Sequence, residues 1–194
     1  MSARGPHATS PRSASASSDA ELMQQIATGE LNGLGELYDR HQAPLRAFVA
    51  RVTGDAEDVD DLVHATFLAA AKSAARYDGR ASCRPWLMGI AVQLLRRRRR
   101  DTSRLLAVLD TLRSILRRTT EPDGVVPIRP DIERALARLS EPKRVTVLLA
   151  EVEGLSCAEI AEALGIPIGT VWTRLHAARR ELRQALGAGE VSQS

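Results

Sequence analysis

Apolar residues in the first half of the chain recur at the three- and four-residue spacing of amphipathic helices, without the alternation expected of half-buried strands. This pattern predicts four helices, which begin near residues 19, 31, 56 and 86. Asp19 suits the N-cap position of the first helix, and Pro44 should kink or split the second. Because each helix has one apolar face, the four helices are expected to close a small bundle.

The second half predicts another helical unit, with helices over residues 131–139 and 142–153 followed by two helices joined at Gly165. Ser156 and Glu159 have the spacing of a capping box, which marks the start of the third helix of this unit. Gly165 suits the left-handed residue that ends this helix. The fourth helix opens after a tight turn at residues 165–170.

This last helix has an apolar stripe on one side, formed by Val171, Leu175, Ala178, Leu182 and Leu186. The opposite side is formed by Thr173, His176, Ala177, Arg180 and Gln184, with Trp172 and Arg174 on the flanks. A short helix, a tight turn and a second helix with an Arg-bearing polar face are typical of a helix-turn-helix that enters the DNA major groove. The alternatives are a helical hairpin with a solvated face and a Trp172 ring that packs on the preceding helix.

The sequence therefore predicts an all-α protein with two small helical domains joined by a linker. The linker ends in the Pro- and Gly-containing sequence EPDGVVPIRP, although leucines at 105–116 could form a short helix within it. A composition rich in Ser, Ala and Pro predicts disorder at the N-terminus. The predicted segments are a disordered tail (1–18), a helical bundle (19–101), a linker (102–130), a helix-turn-helix domain (131–188) and a short tail (189–194).

Charge is distributed unevenly, although the 27 basic and 24 acidic residues leave a formal net charge of only +3. Acidic residues cluster at positions 55–61, whereas residues 96–100 and 174–183 are rich in arginine. Such an asymmetry favours one surface for a basic partner and others for a polyanion such as DNA. Solvated faces without partners are the alternative explanation for any one of these runs.

The sequence carries no pattern typical of an enzyme. It has no phosphate-binding glycine loop and no nucleophile motif, and its four histidines are scattered. Its two cysteines, Cys83 and Cys157, lack the spacing of a zinc site or a disulfide framework. We therefore expect no catalytic residues, no metal and no cofactor, and a reducing cytoplasm as the location. No apolar run approaches the ~20 residues of a membrane span, so no membrane insertion is expected.

Two blocks of the sequence resemble one family, the extracytoplasmic-function (ECF) sigma factors of bacterial RNA polymerase. Residues 135–182, ALARLSEPKRVTVLLAEVEGLSCAEIAEALGIPIGTVWTRLHAARREL, are similar to the domain of that family that binds the promoter −35 element. Residues 21–70 and the sequence RPWLMGIA at 84–91 resemble its first domain, called region 2. The resemblance implies that the protein binds core RNA polymerase and promoter DNA, and that an anti-sigma factor is a further candidate partner.

The resemblance also implies roles for individual residues. A core-polymerase contact is implied for Asp61, Leu62, His64 and Phe67. Contact with the −10 element and its phosphates is implied for Arg76, Tyr77, Asp78, Arg80, Arg84, Arg96, Arg97 and Arg100. Contact with the −35 element is implied for Thr170, Trp172, Thr173, Arg174, His176, Arg179 and Arg180.

Several positions depart from the family pattern. His64-Ala65 stands where the family usually has Gln-Glu, and Trp172 stands where a basic residue is common. Two other functions compete with that of a sigma factor: a conventional helix-turn-helix regulator that binds an operator without polymerase, and an enzyme. Tyr77 and Trp86 have a competing interpretation as simple core aromatics.

Overall fold

The computed structural model describes residues 17–30, 32–54, 59–79, 82–106 and 129–190, with the backbone alone described at 101–106 and 188–190. Arg80, most of the acidic cluster and most of the predicted tails and linker lie outside the described residues. Within them every regular element is helical, which confirms the all-α prediction. The helices are α1 (Asp19–Ala27), α2 (Asn32–Thr53), α3 (Val59–Ser73), a 3-10 turn (Ala74–Arg76), α4 (Arg84–Leu106), α5 (Pro130–Arg138), α6 (Glu141–Glu151), α7 (Cys157–Leu164) and α8 (Ile168–Glu190).

Helices α1 to α4 pack around a common apolar core, in which α2 and α4 both contact α3. The largest side chains buried there are Leu22, Met23, Leu37, Leu45, Phe48, Leu87 and Met88. Burying a side chain of this size stabilises the fold by roughly 1.5–3 kcal/mol relative to leaving it exposed. This burial, rather than the helix propensity of any one segment, holds the four helices together.

The structure corrects the predicted N-cap of α1 and the predicted split of α2. Ser18, not Asp19, caps α1: its Oγ accepts from the Glu21 N–H (3.3 Å), and a Glu21 carboxylate oxygen accepts from the Ser18 N–H (2.8 Å). Pro44 does not split α2, which continues to Thr53. Proline removes one backbone donor, but buried residues on both sides of it, such as His41 and Leu45, anchor both halves of the helix in the core.

Asp19 turns inward instead of capping α1 and links three helices. Its Oδ1 accepts from Arg40 Nη1 (2.7 Å), while Oδ2 accepts from His41 Nε2 (2.8 Å) and from the backbone N–H of Cys83 (2.9 Å). Arg40 and His41 belong to α2, and Cys83 immediately precedes α4. The side chain of Asp19 is only 5% exposed, so this carboxylate joins the starts of α1 and α4 to the middle of α2 in the protein interior.

The surroundings of Asp19 favour its charged form. Burial alone would raise the pKa of Asp19, but the hydrogen bonds from Cys83 N–H and Arg40, together with the charge of His41, outweigh burial and hold it below its usual range. Burial, followed by the neighbouring Asp19 carboxylate, raises the pKa of the Cys83 thiol far above its ordinary value. The thiol is therefore protonated and a poor nucleophile at neutral pH.

Asp19, His41 and Cys83 place three metal-ligand atoms within 4.8 Å of one another, a grouping that the sequence spacing did not suggest. Both oxygens of Asp19 are already engaged, and the Arg40 guanidinium beside them would repel a cation. The Cys83 thiol is also held in its protonated form. These features make the group a hydrogen-bonded structural link rather than a metal site.

Helices α5 to α8 form the second domain, in which α8 packs against α5, α6 and α7. The capping box of α7 is confirmed: Ser156 Oγ accepts from the Glu159 N–H, and Glu159 Oε2 accepts from the Ser156 N–H. Gly165 ends α7 with φ of 62°, the left-handed conformation that glycine adopts without a steric penalty. None of the described helices combines the length and apolar character needed to cross a bilayer.

We expect Asp19→Asn to lower the free energy of unfolding by about 2–3 kcal/mol at pH 7, because an amide cannot replace a carboxylate that accepts three hydrogen bonds. Because the folded pKa of Asp19 is lowered, its stabilising contribution is complete above its unfolded value near 3.8 and disappears as pH falls below it. Urea unfolding between pH 3 and 7 measures both effects. Asp39→Asn, at an exposed position of α2, is the matched control; equal losses in the two variants would contradict the assignment.

Candidate functional site

One face of helix α3, which carries both polar and apolar side chains, is exposed to solvent. Asp61, His64 and Leu68 follow one another at helical spacing and are all exposed, Leu68 to 59%. Leu62 and Phe67, the other two residues of the predicted polymerase contact, are 5% and 3% exposed and belong to the bundle core. Asp61 and His64 are therefore surface residues, whereas Leu62 and Phe67 are core residues. The structure also identifies Leu68 as a further exposed residue of this face. Leu68 lies seven residues after Asp61 and could have been found from that spacing.

A residue of α2 holds the His64 ring on the exposed face of α3. His64 Nε2 lies 3.1 Å from the Tyr38 hydroxyl, and the two rings stack with centroids 5.7 Å apart. The Tyr38 ring also lies against Phe67, at a centroid distance of 4.9 Å. The core residue Phe67 thus supports Tyr38, which in turn orients His64 at the surface.

The segment between α3 and α4 combines an exposed and a packed part. Arg76 and Asp78 are exposed, whereas Tyr77 and Trp86 are half-buried, with ring centroids 5.3 Å apart, and pack on the core. The packing of Tyr77 and Trp86 on the core agrees with their interpretation as core aromatics. Both residues nevertheless remain partly exposed.

The arginines of α4 differ in their surroundings: some pair with carboxylates of the second domain, and others are exposed. Arg84 forms an ion pair with Glu153, which lies between α6 and α7 and whose side chain is 2% exposed. Arg96, at 3.9 Å, and Arg99 both pair with Glu141 at the start of α6. Arg97 and Arg100 are exposed. As expected for consecutive residues on a helix, the arginine run does not face one surface.

Helix α8 buries and exposes the sides that the sequence predicted. Val171, Leu175 and Ala178 are at most 4% exposed, whereas Thr173, His176 and Arg180 lie at the surface. The Thr173 hydroxyl donates to the Gly169 carbonyl oxygen (2.9 Å), and Thr170 is half-buried. The polar face of this helix is thus available to a partner.

The flanking residues of α8 differ from one another. Trp172 is 59% exposed, so its ring does not bury itself against the preceding helix. Arg179 donates through Nε (2.9 Å) and Nη2 (2.6 Å) to Glu151 of α6. Arg174 is half-buried, and its Nη1 has no hydrogen-bond partner among the described residues. Burial, followed by the charge of Arg96, lowers the pKa of Arg174.

An open groove of about 720 Å³ runs beside α8. Apolar side chains line most of it, and Glu151, Arg179 and Arg183 stand among them as charged groups. The groove lies on the Trp172 flank of the helix, next to the polar face. The second domain therefore offers two adjacent surfaces of different chemistry.

Comparison with known protein families identifies both domains. The family model for sigma-70 region 2 matches residues 37–105, and that for sigma-70 region 4 matches residues 129–182. The two regions occur in this order in one chain, which does not favour a conventional helix-turn-helix regulator.

Curated relatives match most of the chain. It is 36% identical to the ECF RNA polymerase sigma factor SigL of Mycobacterium tuberculosis, over 82% of this chain and 92% of SigL. It is 30% identical to SigM of the same organism, over 88% of this chain and 85% of SigM. It is 31% identical to the RNA polymerase sigma factor CarQ of Myxococcus xanthus, over 87% of this chain and 98% of CarQ.

Two solved structures share the fold. CnrH, in complex with the cytosolic domain of CnrY, is 29% identical and matches with a TM-score of 0.62, over 88% of this chain and 97% of that chain. RpoE from Bartonella quintana, in complex with the anti-sigma factor NepR, matches with a TM-score of 0.65 at 24% identity, over 84% of this chain and 98% of that chain. Both regions match, and the relatives match over most of their length. The chain therefore belongs to the ECF family of RNA polymerase sigma factors, which bind core polymerase and direct promoter recognition and transcription initiation.

Proposed function

We propose that this sigma factor contacts core polymerase through the exposed face of α3, the −10 element through the segment between α3 and α4, and the −35 element through α8. The observation that carries the proposal is that α3 and α8 each bury an apolar stripe and present a chemically distinct face. An acidic and apolar face suits a protein partner, whereas a polar face with an arginine suits DNA.

The polymerase contact centres on Asp61, His64 and Leu68. Asp61 supplies a negative charge that guides encounter with a basic partner, and Leu68 supplies apolar surface that association would bury. Leu62 and Phe67 act indirectly, because their burial positions α3 and, through Tyr38, the ring of His64.

The −10 contact involves two kinds of group. Arg76, Arg97 and Arg100 are exposed cations suited to phosphates, and the partly exposed Tyr77 ring offers a surface on which an unpaired base can stack. A stacking contact of this kind contributes ~1–3 kcal/mol per base, so several contacts can offset the cost of unpairing. Asp78, Arg84 and Arg96 complete the described part of the predicted set.

The −35 contact places base-reading groups at the centre of the α8 face and phosphate-binding groups around it. Thr173, His176 and the exposed Trp172 are the proposed base contacts. Arg180 at the surface, with Arg174 and Arg179 on the flanks, is suited to phosphates, as is Thr170 at the helix start.

Regulation by an anti-sigma factor is part of the proposal, because the solved structure of RpoE holds the anti-sigma factor NepR. The apolar groove beside α8 offers a surface for such a protein. The proposed location is the cytoplasm, where core polymerase and promoter DNA are found. Sigma factors act as initiation factors, in agreement with the expectation that the chain is not an enzyme.

We expect the purified protein to direct run-off transcription by host core polymerase from a subset of genomic fragments. Asp61→Arg should weaken core-polymerase binding at least about tenfold, or ~1.4 kcal/mol, because it reverses the charge of the α3 face. Circular dichroism should remain unchanged, since Asp61 is exposed. Asp39→Arg reverses an exposed charge on α2 and is the matched control.

A wild-type protein that supports no transcript with core polymerase would contradict the proposed function itself. Normal transcription together with unchanged core-polymerase affinity of Asp61→Arg would remove the α3 face from the interface while leaving the function intact.

The two roles proposed for the α8 face predict different mutant behaviour. His176→Ala should relax base choice at one position, with a loss of ~1–3 kcal/mol for the preferred base. Arg180→Ala should weaken binding to all sequences alike and reduce the slope of log affinity against log salt by about one. Binding of holoenzyme to a library of −35 sequences at two salt concentrations measures both. Uniform weakening by His176→Ala and altered base choice in Arg180→Ala would reverse the assignments.

A further inference from the structure

Four arginines from three helices meet around one carboxylate where α4 approaches the second domain. Arg96 and Arg99 belong to α4, and both form ion pairs with Glu141 at the start of α6. Arg144 of α6 lies close enough to Arg99 and Glu141, and Arg174 of α8 close enough to Arg96, for their charges to interact. Four guanidiniums around one carboxylate leave an excess of positive charge, and we call this group the arginine cluster.

Glu141 neutralises only part of the arginine cluster. It accepts a hydrogen bond from Arg99 Nη1, but the Arg96 Nε lies 3.9 Å from Glu141 Oε1, which is too long for a hydrogen bond. The contact of Glu141 with Arg96 is therefore electrostatic only. Among the described residues, the ion pairs of the cluster all go to this one carboxylate.

The two arginines of the second domain carry buried donors that no acceptor satisfies. Arg144 Nε and Arg174 Nη1 are buried and have no hydrogen-bond partner among the described residues. Buried donors on charged groups are costly unless an acceptor is supplied, so native proteins pair nearly all of them with a protein group, a water or an ion. These two nitrogens point to an acceptor that the described side chains do not provide.

The electrostatics of the cluster favour a negatively charged acceptor. Burial, followed by the charge of Arg99, lowers the pKa of Arg144, although Glu141 opposes this shift. Burial, followed by the charge of Arg96, lowers the pKa of Arg174. Arginine remains protonated at neutral pH despite such shifts, so the repulsion between the guanidiniums persists until an anion compensates for it.

The arrangement of the arginines suits two linked anionic groups. Each arginine of α4 has a neighbour in the second domain, since Arg96 is next to Arg174 and Arg99 is next to Arg144. Arg96 and Arg99 are three residues apart, so their side chains are neighbours on the surface of α4. The cluster thus consists of two adjacent arginine pairs. Arginine binds phosphoryl oxygens well, because its planar fork of donors matches their geometry.

Close packing of the backbone fixes α4 beside the second domain. Helix α4 packs on α7, and a Cβ atom at Gly89 would clash with the Ala163 carbonyl oxygen. Glycine at this position therefore allows the close approach that sets where Arg96 and Arg99 lie relative to α6 and α8. A ligand meets groups that are already in place, and less free energy is lost on binding.

We propose that the arginine cluster is a binding site for a diphosphate group, with one phosphoryl group at each arginine pair. Inorganic pyrophosphate and a nucleoside diphosphate both carry this chemistry. The side chains of Arg96 and Arg99 are 30% and 44% exposed, so the ligand can enter from solvent. Its oxygens accept from the buried donors of Arg144 and Arg174 and offset the repulsion within the cluster. The site concerns the protein without DNA or polymerase and does not depend on the contacts proposed above.

Titration of the full chain with sodium pyrophosphate tests the site by calorimetry, at about 0.15 M salt and without divalent cations. We expect one ion per chain with a Kd below about 1 mM. Arg144→Gln should weaken binding at least about tenfold, because it removes a charge and a buried donor, and Arg144 has no role in the contacts proposed above. Arg134→Gln removes the same charge from an exposed position of α5 and should leave the Kd unchanged.

A second variant predicts a change of opposite sign. Glu141→Gln should tighten pyrophosphate binding about tenfold, because the amide keeps the shape of the side chain but no longer neutralises Arg96 and Arg99. Glu133→Gln, at an exposed position of α5, removes the same charge away from the cluster and is the matched control. Circular dichroism should show unchanged helical content in all four variants. The Glu141→Gln result tests the site even if Arg144→Gln does not fold.

Titration with ADP, with adenosine as the control, distinguishes the two sources of the diphosphate. Tighter binding of ADP than of pyrophosphate identifies a nucleotide as the ligand, and the reverse order identifies the free ion; adenosine should not bind. A wild-type protein that binds neither pyrophosphate nor ADP at 10 mM, about ten times the expected upper limit of the Kd, would overturn the proposal. Equal weakening by Arg144→Gln and Arg134→Gln would also overturn it, because such a result indicates general attraction to a basic surface.

Discussion

The position of α4 is the constraint on which most of this structure depends, and the buried carboxylate of Asp19 sets it. By accepting from the backbone N–H of Cys83, Asp19 fixes the start of α4 relative to α1, while its contacts with Arg40 and His41 tie both to α2. Because α4 begins at Arg84, its fixed start also sets the positions of Gly89 and of the arginines up to Arg100. An ionised group is costly to bury, and three donors on one carboxylate compensate for that cost.

The two helices with proposed binding roles share one physical arrangement. Both α3 and α8 bury an apolar stripe in their own domain, which fixes their rotation and therefore determines which side chains reach solvent. On α3 this leaves Asp61, His64 and Leu68, and on α8 Thr173, His176 and Arg180. Recognition surfaces built on rigid helices need no ordering on binding, so less free energy is lost when the partner is engaged.

Charge acts at two levels in this protein. Within each domain, pairs such as Arg179 with Glu151 join helices at the surface, where exposed pairs contribute roughly 0–1 kcal/mol. Between the domains, Glu141 and Glu153 form ion pairs with Arg84, Arg96 and Arg99 of α4. These carboxylates thus neutralise arginines of α4 and join the two domains.

The sequence by itself determined the helical class, the capping box at Ser156 and Glu159, the left-handed turn at Gly165 and the two sides of α8. These features depend on spacing over a few residues, which is visible in the chain order. Tertiary structure alone decided that Asp19 faces inward and that Pro44 leaves α2 unbroken. It also decided that Gly89 meets Ala163 and that Arg84 meets Glu153. Those outcomes depend on which helices pack together across large sequence separations, and local spacing carries no information about such contacts.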